Sequence, residues 1–400
     1  MRKINIKDFS VARRSTSRDV NRQILLNLLR AHQPVSRADL ARLMNTTRGV
    51  VGALVSELIA DGLVYDDGPA SASARGRKPT LLYVRTQDRL VIAADVRVSR
   101  IDLALCDFMG RQIALETIDP ILPPGQFIRD FPKHVSALLR KYGSAKLCEG
   151  VGIVIPGMAD RNTGRVISSP LLGWRDVEIR DPIAKATGLP VVVETAGRAC
   201  ALAQMWLSHD DALNTQDFIY VNVSDGVGTG LVIGGRLVGG HGQTAGEFGH
   251  MLLNPDGPRC PCGANGCWMA YISDIATRSR YASYMNSKPP ANPPSIGDII
   301  TLARAGDVKA ASAIQMTARY LGLGLVSILH GVDPACIYIG GEIATAWDLV
   351  EGTMREAIIE RALTAEVAQA VIQPCTISYP RLRGAVALIA APTFAAPNVG

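Results

Sequence analysis

The residues best placed to do chemistry are His250, Cys260, Cys262 and Cys267, in AGEFGH followed by CPCGANGC. One imidazole and three thiols spaced H-x9-C-x-C-x4-C are what a closed tetrahedral Zn2+ site needs. Gly263 and Gly266 let the backbone wrap tightly round an ion. The alternatives are four unrelated buried residues or a disulfide, since cysteine is often buried without a role. Three of the eight cysteines fall within eight positions, whereas Cys106, Cys148, Cys200, Cys336 and Cys375 are scattered singly and read as core thiols. Without a secretory leader to reach an oxidising compartment, metal is favoured over a disulfide. The spacing leaves no open coordination position, so the expected zinc is structural rather than hydrolytic.

The elements that must position these groups come from a chain of 400 residues, 48 % hydrophobic, enough for two or three domains with cores of their own. The start, MRKINIKDFSVARRSTSRDV, is charged and has no apolar signal core. Apolar runs are broken by Pro, Gly or charge well short of the roughly 20 residues of a membrane span. The expectation is a soluble cytoplasmic protein with no membrane partner. Charge is uneven: residues 1–85 hold 15 Lys/Arg and 7 Asp/Glu, net +8, and the remainder is −2. A basic head on a near-neutral body points to nucleic-acid contact through the head, against a merely solvated basic surface.

In the head, residues 19–31 put Ile24, Leu25, Leu28 and Leu29 on one helical face, and Gln33-Pro34 ends the pattern. Ser36 caps a short helix, RADLARLM, with Asp39 in its first turn. A turn at Asn45 leads to a third helix, from Thr46 or Thr47 to Asp61, with Val50, Val51, Leu54, Val55 and Leu58 inward and Gly62 at its end. LVYDD and TLLYVR follow as two strands. Three helices and a two-stranded wing form a winged helix-turn-helix, whose third helix enters the major groove. Thr46, Thr47 and Arg48 are the expected DNA contacts, with Arg48 able to grip guanine in two places. A protein-docking module is the other reading of such a unit. Between the wing strands, Arg75, Gly76, Arg77, Lys78 and Pro79 resemble a minor-groove hook; a plain basic linker has similar composition.

From Leu90, strands and helices alternate: LVIAADV, RIDLALCD, a helix around Phe131 to Lys141, GVGIVIP and LPVVVE, then DFIYVNVSD, GTGLVIGGRLV, helices between about 297 and 331, and ACIYIGG. That order implies two similar α/β lobes facing a cleft, with any ligand where they meet.

PGMADRNTGRV (Pro156 to Val166), LLGWRDVEIRD (Leu171 to Asp181), GLPVVVE (Gly188 to Glu194), GRLVGGHGQTAGEFGH and CPCGANGC resemble the ROK family of repressors, open reading frames and kinases. The likeness covers nearly the whole chain and is strongest to the transcriptional-regulator branch. It implies an α/β fold with an N-terminal winged helix-turn-helix and a two-lobed actin-like or ribonuclease-H-like body, divided as 1–85, 86–200 and 201–400. It also implies homodimers or homotetramers, and zinc on His250, Cys260, Cys262 and Cys267.

Family kinases move phosphate from ATP to a sugar hydroxyl, which needs a phosphate cradle, Mg2+ and a base. The family's first phosphate loop resembles D-x-G-G-T, where this chain has Asp95-Val96-Arg97-Val98-Ser99. The glycines of Gly226-Val227-Gly228-Thr229-Gly230 and Gly340-Gly341 survive, though such glycines also serve fold geometry. The family's E-N-D-A-N, with Asp as base, reads Glu194-Thr195-Ala196-Gly197-Arg198, and alanine cannot accept a proton. The expectation is a protein that is not an enzyme.

Of the residues by which the resemblance implies sugar binding, Glu247 and His250 remain; Leu171, Thr195, Ala196 and Met269 stand where polar groups are expected. Each hydroxyl desolvated without a partner costs about 1–3 kcal/mol. Three explanations stay open: a less polar or differently substituted sugar-derived effector, control by a protein partner or none, or a sugar in a shifted pose using Glu247, His250 and Arg198. For Arg198 itself, an inter-lobe or surface ion pair is preferred. The overall expectation is a DNA-binding regulator, a repressor of carbohydrate genes, held on operator DNA as a symmetric oligomer.

Overall fold

A computed structural model of the chain describes residues 17–69, 80–207, 216–285 and 294–395, so Arg75, Arg77 and Lys78 lie outside the described residues. The head begins with α1 (Ser17–His32), which buries Ile24, Leu25, Leu28 and Leu29. After a two-residue strand, β1 (Val35–Ser36), the Ser36 hydroxyl caps α2 (Arg37–Leu43) by accepting from the Asp39 amide at 3.2 Å. Thr47 caps α3 (Arg48–Ala60) in the same way through the Val50 amide. Along α3 the inward stripe is Val51, Leu54, Val55 and Leu58. Val50, expected inward, is 42 % exposed instead. One residue turns a helix by about 100°, enough to carry Val50 off the stripe. The wing, β2 (Val64–Pro69) and β3 (Thr80–Val84), is antiparallel, and β1 pairs with the other edge of β3. It therefore has three strands where two were expected; a two-residue strand is too short to show in a periodicity.

The first lobe opens with β4 (Leu90–Val96), β5 (Ile101–Asp107) and β6 (Gln112–Ile118), an antiparallel meander, followed by α4 (Pro124–Lys141) and β7 (Cys148–Ile155). A side sheet of β8 (Met158–Asp160), β9 (Arg165–Ser169) and β10 (Trp174–Glu178) precedes α5 (Arg180–Thr187), β11 (Val191–Thr195) and α6 (Ala196–Leu207). The second lobe has β12 (Phe218–Val223), β13 (Val227–Ile233) and β14 (Arg236–Leu237), then α7 (Met269–Ile272), α8 (Asp274–Tyr284), α9 (Ile296–Arg304) and α10 (Val308–Val332). It closes with β15 (Cys336–Gly340), α11 (Trp347–Ile359), α12 (Ala365–Ala368), β16 (Ile372–Pro374) and α13 (Pro380–Phe394).

Both main sheets have one topology. Their strand orders are β11-β7-β4-β5-β6 and β14-β13-β12-β15-β16. In each, three strands run as an antiparallel meander and two later strands lie parallel to the first. The expected duplication is thus one of topology, the ribonuclease-H-like arrangement repeated. Strands such as β4 and β12 are buried on both faces, which explains their unbroken apolar runs.

The layer between the sheets is α6 and α13. Helix α6 packs on β12 and β13, whereas α13 leaves the second lobe and packs on β4 and β7 of the first. The two helices cross at contact distance: a Cβ at Gly384 would lie 2.2 Å from the Ala199 carbonyl oxygen. One continuous apolar core joins this pair to both sheets and to α1, α2 and α3 of the head. Gly384→Ala is accordingly expected to lower the thermal unfolding midpoint by about 5 °C, because overpacking cannot be relieved against backbone. Gly352→Ala, where an added methyl meets open space, should leave it in place; equal midpoints for the two variants in differential scanning calorimetry would refute the close crossing.

Candidate functional site

His250 ends a short helical turn, Phe248–His250, and the three cysteines lie on the loop that follows. That loop is knotted by backbone bonds: the Cys260 amide donates to Ala264 O at 2.8 Å, Gly266 to Pro258 O and Leu253 to Gly266 O, each at 2.9 Å. Gly266 has φ +69°, and a Cβ there would strike the Asn254 carbonyl. The knot brings the four ligand atoms within 4.8 Å of one another. Cys262 Sγ and Cys267 Sγ are 3.7 Å apart, as are His250 Nδ1 and Cys260 Sγ. A tetrahedron of 2.3 Å bonds has edges of about 3.8 Å, so the donors fit a divalent metal at its centre. Burial lowers the His250 pKa, favouring the neutral imidazole that ligates.

Beside this knot runs a cleft between the lobes. One part is bounded by Pro170 and Leu171, by Thr195, Ala196 and Gly197, by Gly226 and the start of β13, and by Glu247, His250 and Met269. It continues past Arg97, Asn222, Ser224 and Arg381 into a second part that reaches Asp274, Glu342 and Tyr379. Glu247 and His250 thus face one cavity, joined by every position where polar groups were expected and found replaced. Leu171 Cδ1 and Met269 Cε would each lie 3.3 Å from a Cβ on Gly226, forming an apolar patch in the wall. Burial raises the Glu247 carboxyl to about 7, with Arg198 pulling the other way.

Arg198 is fully enclosed. Its Nε lies 3.2 Å from Glu194 Oε1, and its guanidinium donates to Gln243 O at 2.9 Å and Gln243 Oε1 at 3.2 Å. Its hydrogen bonds therefore tie the first lobe to the loop leading to Glu247, whereas its ion pair, to Glu194 four residues earlier, is buried within the first lobe, neither on the surface nor between the lobes as expected from sequence. Glu194 is also fully buried, with Arg161 at 3.7 Å, and desolvation raises its pKa against both arginines.

The kinase-like remnants have structural explanations. A Cβ at Gly230 would lie 2.5 Å from Gly197 O, and one at Gly197 would lie 2.3 Å from the Thr229 amide nitrogen. These glycines let β13 ride on the first turn of α6, with no phosphate required. Gly340 faces the Tyr220 hydroxyl, which a Cβ would meet at 2.1 Å. Where the phosphate loop would open, Arg97 pairs with Asp95 at 2.8 Å and Arg381 pairs with the same carboxylate at 2.6 Å.

On the head, Thr47 and Arg48 are exposed at the start of α3 and Thr46 is partly so. Arg18, Arg22, Arg37 and Arg42 are each paired with a carboxylate, whereas no ion pair to Arg48 occurs among the described residues. Exposed Val50 extends this surface, and no signal in the spacing separates it from its buried neighbour Val51.

Asp274 in the cleft was also missed, since its partners are distant in sequence. Burial, then Glu342 and Asp225, raise its pKa to about 8. An unfolded chain ionises this group near pH 4, the folded chain only near 8, so the group destabilises the fold increasingly across that window. Asp274→Asn should therefore unfold at a higher temperature than the parent at about pH 8.5 and converge with it near pH 4.5. A constant difference across pH in scanning calorimetry would contradict the shift.

The sequence profile described as ROK family matches residues 91–391. The xylose repressor of Bacillus subtilis (strain 168) is 28 % identical over 369 residues, covering 88 % of this chain and 89 % of that protein. The glucokinase of Streptomyces coelicolor (strain ATCC BAA-471 / A3(2) / M145) is 27 % identical over 281 residues, 67 % of this chain and 86 % of that protein. Among solved structures, a ROK family transcriptional regulator, a homologue of the E. coli MLC protein, shares the fold with a TM-score of 0.80 at 24 % identity, covering 95 % of this chain and 97 % of that one. A ROK family glucokinase from Streptomyces griseus, in complex with glucose and AMPPNP, gives a TM-score of 0.66 at 26 % identity, covering 75 % of this chain and 99 % of that one.

Proposed function

The chain belongs to the ROK family, and we propose that it is a DNA-binding transcriptional regulator, a repressor of carbohydrate genes, rather than a sugar kinase. The observation that carries this is the winged-helix head, sharing one core with a two-lobed body whose cleft has Ala196 where a kinase of the family has its base. The xylose-repressor likeness, extending over most of both chains, supports it.

Thr46, Thr47 and Arg48 would meet base edges in the major groove, with Arg48 on guanine and Val50 against a thymine methyl. Arg75, Arg77 and Lys78 would extend the contact to phosphates or the minor groove. A homodimer or homotetramer would present two heads to a symmetric operator. The cleft would take a sugar or sugar-derived effector that keeps contact with Glu247 and His250 while laying an apolar face on Leu171 and Met269. Such a ligand changes DNA affinity only through its differential affinity for the reading and non-reading shapes. His250, Cys260, Cys262 and Cys267 would hold one structural Zn2+, which when bound supplies rigidity to the knot beside the cleft.

Mobility shifts on the promoter beside the chain's own gene test the regulator: selective, salt-dependent binding is expected, and its absence would sink the proposal. Arg48→Ala should weaken selective binding by at least about tenfold. Cys267→Ser should abolish the roughly one zinc per chain expected from metal analysis and lower the unfolding midpoint. ATP turnover should be undetectable with D-xylose or D-glucose; measurable turnover would restore the kinase.

A further inference from the structure

Helices α6 and α13 each touch the cleft at one end and the DNA-reading head at the other. Helix α6 begins at Ala196 and Gly197, which line the cleft, and ends beside Trp206; α13 begins at Pro380 and Arg381, also in the cleft wall, and ends at Phe394. Between these far ends sits Arg30 of α1, its guanidinium carbon 5.6 Å from the Trp206 ring centre and 4.7 Å from that of Phe394. One turn earlier, the Asn27 amide donates to Phe394 O at 2.8 Å, satisfying a carbonyl that the end of α13 leaves free.

We propose that α6 and α13 form a coupling rod between the cleft and the DNA-reading head, and that Arg30 is the positioning residue that fastens the rod to the head. The rod rests on the regulator function above and specifies how its effector cleft would be read out. Three physical features support it. The helices cannot slide independently, because Gly384 rides on the Ala199 backbone. Both present their C-terminal ends, with their partial negative charge, towards Arg30, and two aromatic faces add cation–π attraction. Burial lowers the Arg30 pKa to about 10, which leaves it cationic at neutral pH.

The cleft end is held by equally specific contacts. Arg381, only 6 % exposed, bonds Val96 O at 3.2 Å and Asp95 at 2.6 Å, while its buried Nε has no hydrogen-bond partner. Arg198, in the first turn of α6, is clamped between Glu194 and Gln243. Because α6 packs on the second sheet and α13 on the first, a change in the lobe angle acts on both helices. The ten residue steps of α6 from Ala196 to Trp206 carry that displacement roughly 15 Å.

Hydrogen exchange of the full chain, read by mass spectrometry, tests the rod without operator or effector. Arg30→Met keeps the bulk and removes the cation; it should speed exchange of amides 196–200 and 381–385, at the far end, by about fivefold. In reverse, Arg381→Met should speed amides 24–32 by a similar factor. Arg30→Lys, which keeps a cation between the rings, should return the cleft amides to within about twofold of the parent. Phe394→Leu gives the same reading should Arg30→Met fail to fold, and amides of α9, which contact none of these residues, should stay unchanged. If folded variants alter exchange only around their own positions, the rod is overturned. Because no DNA or sugar enters the measurement, that result leaves the mobility-shift test of the regulator to stand or fall by itself.

Discussion

The approach of Gly384 to the Ala199 carbonyl sets the spacing between α6 and α13, and most of the molecule is arranged around that spacing. The helix pair is the only layer that touches both main sheets and the head, among the described residues. On one side, Gly152 must also lack a side chain, since a Cβ there would lie 2.1 Å from Ala385 O. On the other, Gly197, Gly228 and Gly230 let the second sheet close over the first turn of α6. Small residues at helix crossings bring backbones together and exclude voids, so the lobes are coupled by packing and need no covalent or metal link.

That packing also shows how a kinase-like body would persist under the proposed regulator function. Glycine loops that look like a phosphate cradle are retained here because backbone meets backbone, a requirement of the fold alone. The groups that do chemistry are free to change, and they have: Ala196 stands at the base position, Arg97 and Arg381 share Asp95 at the mouth, and Leu171 meets Met269 in the wall. The knot that gathers His250 and the three cysteines occupies the border of the same cleft, next to the turn bearing Glu247 and His250. On the proposed reading, the body is a two-lobed clamp kept for its shape.

How much of this was legible depended on how local each signal is. The head's helices, the Ser36 cap, the clustering of His250 with the three cysteines and the strand runs are written in spacings of a few residues, and the fold reproduces them. Val50 misled because a helical stripe about 100° wide has edges that a residue count cannot resolve. The third wing strand is two residues long and exists only through pairing with β3. The return of α13 to the first lobe, the stacking of Arg30 on Trp206 and Phe394, and the raised pKa of Asp274 are long-range. Each joins residues far apart in sequence, and no periodicity encodes them. The doubled sheet topology lay between these cases: its strands were evident, their shared order was not.

The central claim, that this clamp serves a sequence-reading head, is tested most directly by fluorescence anisotropy of the intact protein on its own promoter DNA against a scrambled duplex of equal length, across a salt series. A specific regulator should prefer the promoter by about a thousandfold or more near physiological salt, with both affinities falling steeply as salt rises. Equal affinity for the two duplexes at every salt concentration would contradict it, leaving a basic head without a sequence to read.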